Sequence, residues 1–228
     1  LWLLFYPLLL LATYSFVYIY VFKVRFGLFE SNEYVLLIFS GLLPFLGFTE
    51  GIATGIPSIS ANAGLVKNTL FPIDIIPIKA VLYSQCTQIA GLMLLLGALL
   101  IMNKLTVYAV WILPIWILQI LFTVGLIWIL SSLNVYFRDM QNIVTIITIF
   151  LMMVSPIAYT IDMIPANLQH YIKWNPLYYL IMAYQDCIIM GRHPRSDIIL
   201  TFAVISIVMF IIGYWFFSKL KSLFADNI

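Results

Sequence analysis

The stretch LSSLNVYFRDMQNIV, residues 130–144, interrupts two long apolar runs and sets Arg138 beside Asp139. On a helix, neighbours in sequence point about 100° apart, and only positions three or four apart meet. The two charges therefore form no ion pair with each other. They mark an elbow, with one membrane-spanning helix ending near 133 and the next beginning at 140.

Working outward, the same reading extends to the whole chain of 228 residues, 64% hydrophobic and only 9% charged. Soluble domains carry about a quarter charged residues, so this is an integral membrane protein. The apolar stretches match the roughly 20 residues an α-helix needs to cross a bilayer, and they lack the alternation of a membrane barrel. The fold class is all-α, with six spans expected over 1–22, 34–55, 78–102, 106–133, 140–160 and 198–218, in a single transmembrane domain covering 1–228.

Several function classes are disfavoured at once. Cys86, within a span, and Cys187, in a loop region, suit free buried thiols better than a disulfide framework. His170 and His193 have no ligand partners at metal spacing, so no metal is expected. A net charge of +2 argues for no nucleic-acid partner. The chain has no G-x-x-x-x-G-K-[ST], H-E-x-x-H or G-x-S-x-G motif, and no acid and base paired at a shared depth. No cofactor is expected on this chain; ATP hydrolysis, if it drives transport, belongs to another polypeptide.

The loops fall into two sets, and their Lys and Arg residues divide five against six, so charge does not set the orientation. The segment 161–197 is too apolar for a solvated connection and too interrupted to span. Two short helices fit it, one from 165 to 174 and one capped by Asn175, with Pro176 in its first turn, running to Gly191. The second reaches only about 20 Å, so it must dip in and return or lie at the interface.

Other stretches carry paired readings. GFTEGIATG places Gly47, Gly51 and Gly55 on one face of the second span, for close helix packing or a loosened helix end. Glu50 in that span is either a functional carboxylate or one paired to a cation near the interface. The loop 56–77 presents a short helix before Phe71 and Pro72, either docking a partner or lying on lipid, with Pro72 and Pro77 barring helix between them. Tyr14, Tyr18 and Phe22 share a face that suits sugar stacking or an interfacial aromatic belt.

The order of NAGLVKNTLFPIDIIP (62–77), NVYFRDMQNIV (134–144), SPIAY (155–159) and WNPLYYLIMAYQD (174–186) resembles the membrane subunit of type-2 ABC exporters of polysaccharides. These are the O-antigen, capsule and teichoic acid permeases. The resemblance implies a homodimer with two copies of an ABC ATPase subunit that holds ATP and Mg. It implies a cytoplasmic N-terminus, a place in the bacterial cytoplasmic membrane among its lipids, and an undecaprenyl-diphosphate-linked glycan as substrate. An amphipathic N-terminal interface helix, usual in the family, is missing from a chain that opens at Leu1; a truncated start is expected.

On this resemblance the 56–77 loop becomes the cytoplasmic coupling helix, with Ala61, Asn62, Leu65, Val66 and Lys67 as its contact with the ATPase. The 161–197 pair becomes re-entrant gate helices, carrying Asn175, Pro176, Tyr178, Tyr179 and Tyr184. Tyr14, Tyr18 and Phe22, with Arg138, become candidates for the channel and substrate contact. A permease for teichoic acid, drugs or other lipids shares the architecture, and an ion-driven carrier using Glu50 is the reading from another class.

At the elbow, Asp139 is expected to cap the following span through its carboxylate, near Gln141 and Asn142. Arg138 faces the headgroup zone, holding lipid phosphate or the substrate's pyrophosphate. The lipid role predicts that Arg138→Lys leaves export intact in cells. Loss of export in that variant would instead mark a bidentate substrate contact, which lysine cannot reproduce.

Overall fold

The computed structural model describes residues 2–17, 31–67, 72–159 and 165–224, and all regular structure among them is helical. In chain order these are α1 (Trp2–Ser15), α2 (Ser31–Gly55), α3 (Ser58–Ala61), α4 (Ala63–Val66) and α5 (Ile75–Ile101). After them come α6 (Ile112–Tyr136), α7 (Met140–Val154), α8 (Ala166–Ile172), α9 (Pro176–Ile188) and α10 (Ser196–Leu220). Four stretches, Glu33–Gly55, Ile75–Ile101, Val107–Tyr136 and Ser196–Leu223, are long and apolar enough to cross a membrane. Glu33 and Asp197 in the first turns of α2 and α10, and Lys219 in the last turn of α10, complement the helix dipoles.

The expected boundaries need correction where local chemistry overrides apolar length. The fifth span, expected to 160, stops as α7 at Val154, because Pro156 turns its predecessor away from helical geometry. Its 15 residues cover only about 22 Å. Conversely, α5 starts at Ile75, ahead of Pro77, which does not bar the helix because a first-turn residue needs no intrahelical N–H bond. A 3₁₀ turn, Val107–Trp111, precedes α6, which continues past 133 to Tyr136. The paired short helices end earlier than expected, at Ile172 and Ile188. Cys187 lies in α9 rather than a loop, and Cys86 is exposed rather than buried. Residues 18–22 of the first expected span lie outside the described residues.

The chain forms two compact units, each drawn from three segments. The first contains 1–46, 86–115 and 154–199. Its core is α9 with the first half of α2, in which residues 34–45 are all buried. Glycines permit the contact: a Cβ on Gly41 would meet Ile181 Cγ2 at 3.0 Å, and one on Gly91 would meet Leu43 Cδ2 at 2.2 Å. The turn after α5 is closed by Asn103, whose φ is 54°, and Lys104 pairs with Glu33.

The second unit contains 47–85, 116–153 and 200–228. Here α6 and α10 cross at two glycines: a Cβ on Gly213 would fall 2.1 Å from the Gly125 carbonyl oxygen. Around that crossing, Trp128 lies against Phe210, Tyr214 and Phe217, with ring centroids 5.0, 5.5 and 6.3 Å away. Its indole N–H donates to the Asp74 carbonyl at 3.2 Å, and Lys221 holds the Asp74 carboxylate at 3.2 Å. In lipid, apolar surface has no hydrophobic drive to bury itself, so dispersion at such close approaches carries helix association. Overpacking typically costs 1–3 kcal/mol, and here the clash is with backbone that has little room to move. Gly213→Val should therefore lower the thermal unfolding midpoint in detergent by several degrees. Gly97→Val, where nothing lies within 4 Å, should not; equal midpoints would refute the crossing.

Candidate functional site

A helix of 13 residues, about 20 Å long, cannot cross a bilayer, and its ends need cover that lipid does not supply. In α9 protein supplies it. Residues 177, 178 and 180–188 are all buried. Asn175 caps the helix by accepting from the Leu177 N–H at 3.0 Å, and Pro176 follows at the first helical position. The Asn175 amide also donates to Ser155 Oγ at 2.9 Å, tying the cap to the turn after α7.

Further along α9, Tyr184 and Gln185 have partners on other segments. The Gln88 amide of α5 donates to Tyr184 Oη at 3.1 Å, and the Gln185 amide donates to the Pro156 carbonyl at 3.2 Å. Tyr34 of α2 donates its hydroxyl to the Ala158 carbonyl. In membrane interiors such bonds contribute on average about 0.6 kcal/mol each, enough to fix register once packing has brought the helices together.

The strongest electrostatic feature closes the far end of α9. Asp186 is fully buried, and a bare carboxylate there would be costly. It is also placed where the dipole of its own helix is negative. Two arginines compensate. Arg192 donates to Oδ1 at 2.5 and 3.0 Å, and Arg195 donates to Oδ2 at 3.2 Å from its side chain and 3.4 Å from its main chain. The Arg195 carbonyl accepts from Ile199 in the opening turn of α10, so Asp186 joins the end of one helix to the start of the next. Between them Gly191 takes a φ of +56°, beside Thr106. Trp111 meets His193 edge to face at 4.4 Å.

The expected gate residues thus share one helix and one environment. Tyr178 and Tyr184 are 1% and 0% exposed, Asn175 is buried, and Pro176 and Tyr179 are partly exposed. Neither buried tyrosine faces open solvent in the chain described. Asp186, Arg192, Arg195, Gln88 and Gln185 had no assigned role in the sequence reading. Their signal was there: ionisable and amide groups within apolar runs need partners, but the partners are distant in the chain.

The loop after α2 holds the other group. It forms not one short helix but two single turns, α3 and α4, hinged at Asn62, whose amide donates to the Ser58 carbonyl at 2.7 Å. Ala61 and Lys67 are exposed, Leu65 is 40% exposed, Asn62 is half-buried and Val66 is buried. The glycine face leads into this loop. A Cβ on Gly51 would lie 3.0 Å from Ser84 Oγ, and one on Gly55 would lie 2.7 Å from Ile127 Cγ2. The Gly47 carbonyl accepts from Ser84 at 3.2 Å. Glu50 is half-buried, and its carbonyl accepts from Thr54 at 2.8 Å.

At the elbow Arg138 and Asp139 are both exposed. The first turn of α7 is closed by the Asp139 carbonyl, which accepts from Asn142 and Ile143 at 3.1 Å, instead of by the expected carboxylate. Exposure leaves that carboxylate to solvent. Tyr18 and Phe22 lie outside the described residues, as does the side chain of Tyr14. Among the described residues no His, Cys, Asp and Glu gather as a metal site.

Known proteins resemble this chain in sequence along most of its length. The family profile described as ABC-2 type transporter matches residues 1–189. An O-antigen export system permease protein RfbA of Klebsiella pneumoniae is 31% identical over 228 aligned residues, covering 96% of this chain and 83% of the relative. Its namesake in Myxococcus xanthus is 27% identical, covering 84% and 75%. The polysialic acid transport protein KpsM of Escherichia coli is 25% identical, covering 79% and 71%.

Removing one partner of a buried ion pair costs about 3–5 kcal/mol, because a charge is left buried and uncompensated. Arg192→Ala leaves the fully buried Asp186 carboxylate with Arg195 as its remaining cation, so it is expected to lower the unfolding midpoint in detergent markedly. Asp186→Asn removes the buried charge and leaves two part-exposed arginines to water, so it is expected to be milder. Equal effects would show that Arg192 does not compensate the charge at this end of α9.

Proposed function

The chain belongs to the ABC-2 type transporter family, and we propose that it is the permease subunit of an ATP-driven exporter of a lipid-linked polysaccharide. The observation that carries this reading is that relatives named as O-antigen export permeases align with nearly the whole chain. On this reading two copies of the chain pair across six spans each, in the bacterial inner membrane, and each engages one ATPase subunit. ATP and Mg are held by that partner. The substrate is a glycan on undecaprenyl diphosphate.

The physical problem is a charged pyrophosphate and a wet sugar chain that hydrocarbon excludes. A conduit between two copies, lined by aromatic and polar side chains, answers it. Tyr14, Tyr18 and Phe22 are the proposed lining, and Arg138 the proposed headgroup contact. The α3–α4 turns are the cytoplasmic coupling element, with Lys67 and Ala61 exposed for contact. The α8–α9 pair forms the outer gate. Nucleotide in the partner moves the dimer between states only by the difference in its affinity for them. The coupling element must therefore bind the ATPase differently in each state, whereas the interlocked α9 moves as one body.

Export by vesicles carrying both subunits tests the assignment. Lys67→Glu and Asn62→Trp should reduce ATP-driven glycan export severalfold, while leaving the amount of inserted permease unchanged. Unchanged export in both variants would remove the coupling assignment. ATP hydrolysis by the purified chain without its partner would overturn the permease reading itself.

A further inference from the structure

A cavity of about 650 Å³ opens where the last turn of α2, the α3–α4 turns and the first three turns of α5 converge. That volume falls within the roughly 300–1,000 Å³ of small-molecule sites. Its walls include Thr54, Ser58 and Asn62 at one end and Ile78, Leu82 and Tyr83 along α5. Leu82 and Tyr83 are 50% and 67% exposed.

Three observations restrict the occupant. First, the cavity follows α5 from Ile75 to Tyr83, about 12 Å along a helix long and apolar enough to span. A helix of 27 residues exceeds the hydrocarbon core by about 10 Å, so its first few residues lie among headgroups and Leu82 and Tyr83 lie below them. A water-soluble partner does not reach that depth. Second, Lys79 lines the cavity, is exposed, and meets no carboxylate among the described residues. From one turn into α5, its four-carbon stem can carry the ammonium back toward headgroup level. Third, Ser58 lines the same cavity with only 5% exposure, and its hydroxyl has no hydrogen-bond partner among the described residues. Buried hydroxyls are normally satisfied, so this one has a hydrogen bond left to offer at the cavity wall.

We propose that this cavity holds one anionic phospholipid of the surrounding leaflet. Its phosphate lies at Lys79 and Ser58, and an acyl chain lies along Ile78, Leu82 and Tyr83. The ammonium supplies charge complementarity to phosphate as a point charge. The apolar wall supplies contact for the chain. Because Ala61, Asn62 and Leu65 also border the cavity, the lipid supports the hinge between α3 and α4. The proposal rests on α5 as a span and is independent of the cargo.

Native mass spectrometry of the full-length protein, titrated with phosphatidylglycerol or with phosphatidylcholine of the same chains, tests it. One phosphatidylglycerol should bind per chain in preference to phosphatidylcholine. Lys79→Gln should weaken that binding about fivefold, whereas Lys79→Arg and the remote Lys173→Gln should retain it. Ala80→Phe keeps the charge and narrows the cavity, so it should weaken both lipids. A folded state for each variant is verified by its unfolding midpoint. Equal binding of the two lipids, unchanged affinity in Lys79→Gln, or displacement of the lipid by the ATPase subunit would overturn the proposal. So would an undecaprenyl phosphate that binds here more tightly than phosphatidylglycerol, since the cavity would then serve cargo.

Discussion

Lipid gives no hydrogen bond to a peptide group, and that constraint governs the fate of α9. A 13-residue helix is too short to bring both ends to water, so protein must surround it. The first half of α2 is buried against it, which requires Gly41 where Ile181 approaches. The turn at Ser155–Pro156, where the proline ends α7, is held by Asn175 and Gln185. Asp186 with its two arginines closes the remaining end. Each of these features answers the same need: backbone and charge paired within the protein.

The second unit meets a different demand. Its helices are long enough to satisfy their own backbones, so what remains is adhesion between apolar surfaces in an apolar solvent. Close approach supplies it, through Gly125 against Gly213 and through Gly51 and Gly55 against α5 and α6. Aromatic rings around Trp128 fill the space that glycines do not. The Lys221–Asp74 pair, part-buried at 3.2 Å, adds a polar tie near the start of α5.

These two modes bear on the proposed transport cycle. A helix locked by partners on several elements moves with them or not at all, which suits a gate with two discrete positions. Two single-turn helices hinged at a half-buried asparagine make few such commitments, which suits an element that must follow a partner's changes.

Much of the fold was legible because it follows from composition and local chemistry. Apolar length set the spans at α2, α5, α6 and α10, and the Asn175–Pro176 pair marked the start of α9, since capping involves residues two apart. The Gly47, Gly51 and Gly55 face was visible because helical periodicity is local. Proline misled in both directions: Pro156 ended a helix expected to continue, and Pro77 entered one expected to start after it. The partners of Asp186, the meeting of Gln88 with Tyr184, and the crossing of Gly125 with Gly213 were not legible. Sequence by itself determined that this chain is a helical membrane protein with a short helix that cannot span. Only the tertiary structure decided what covers that helix and which glycines touch, because those contacts join residues whose proximity no local periodicity encodes.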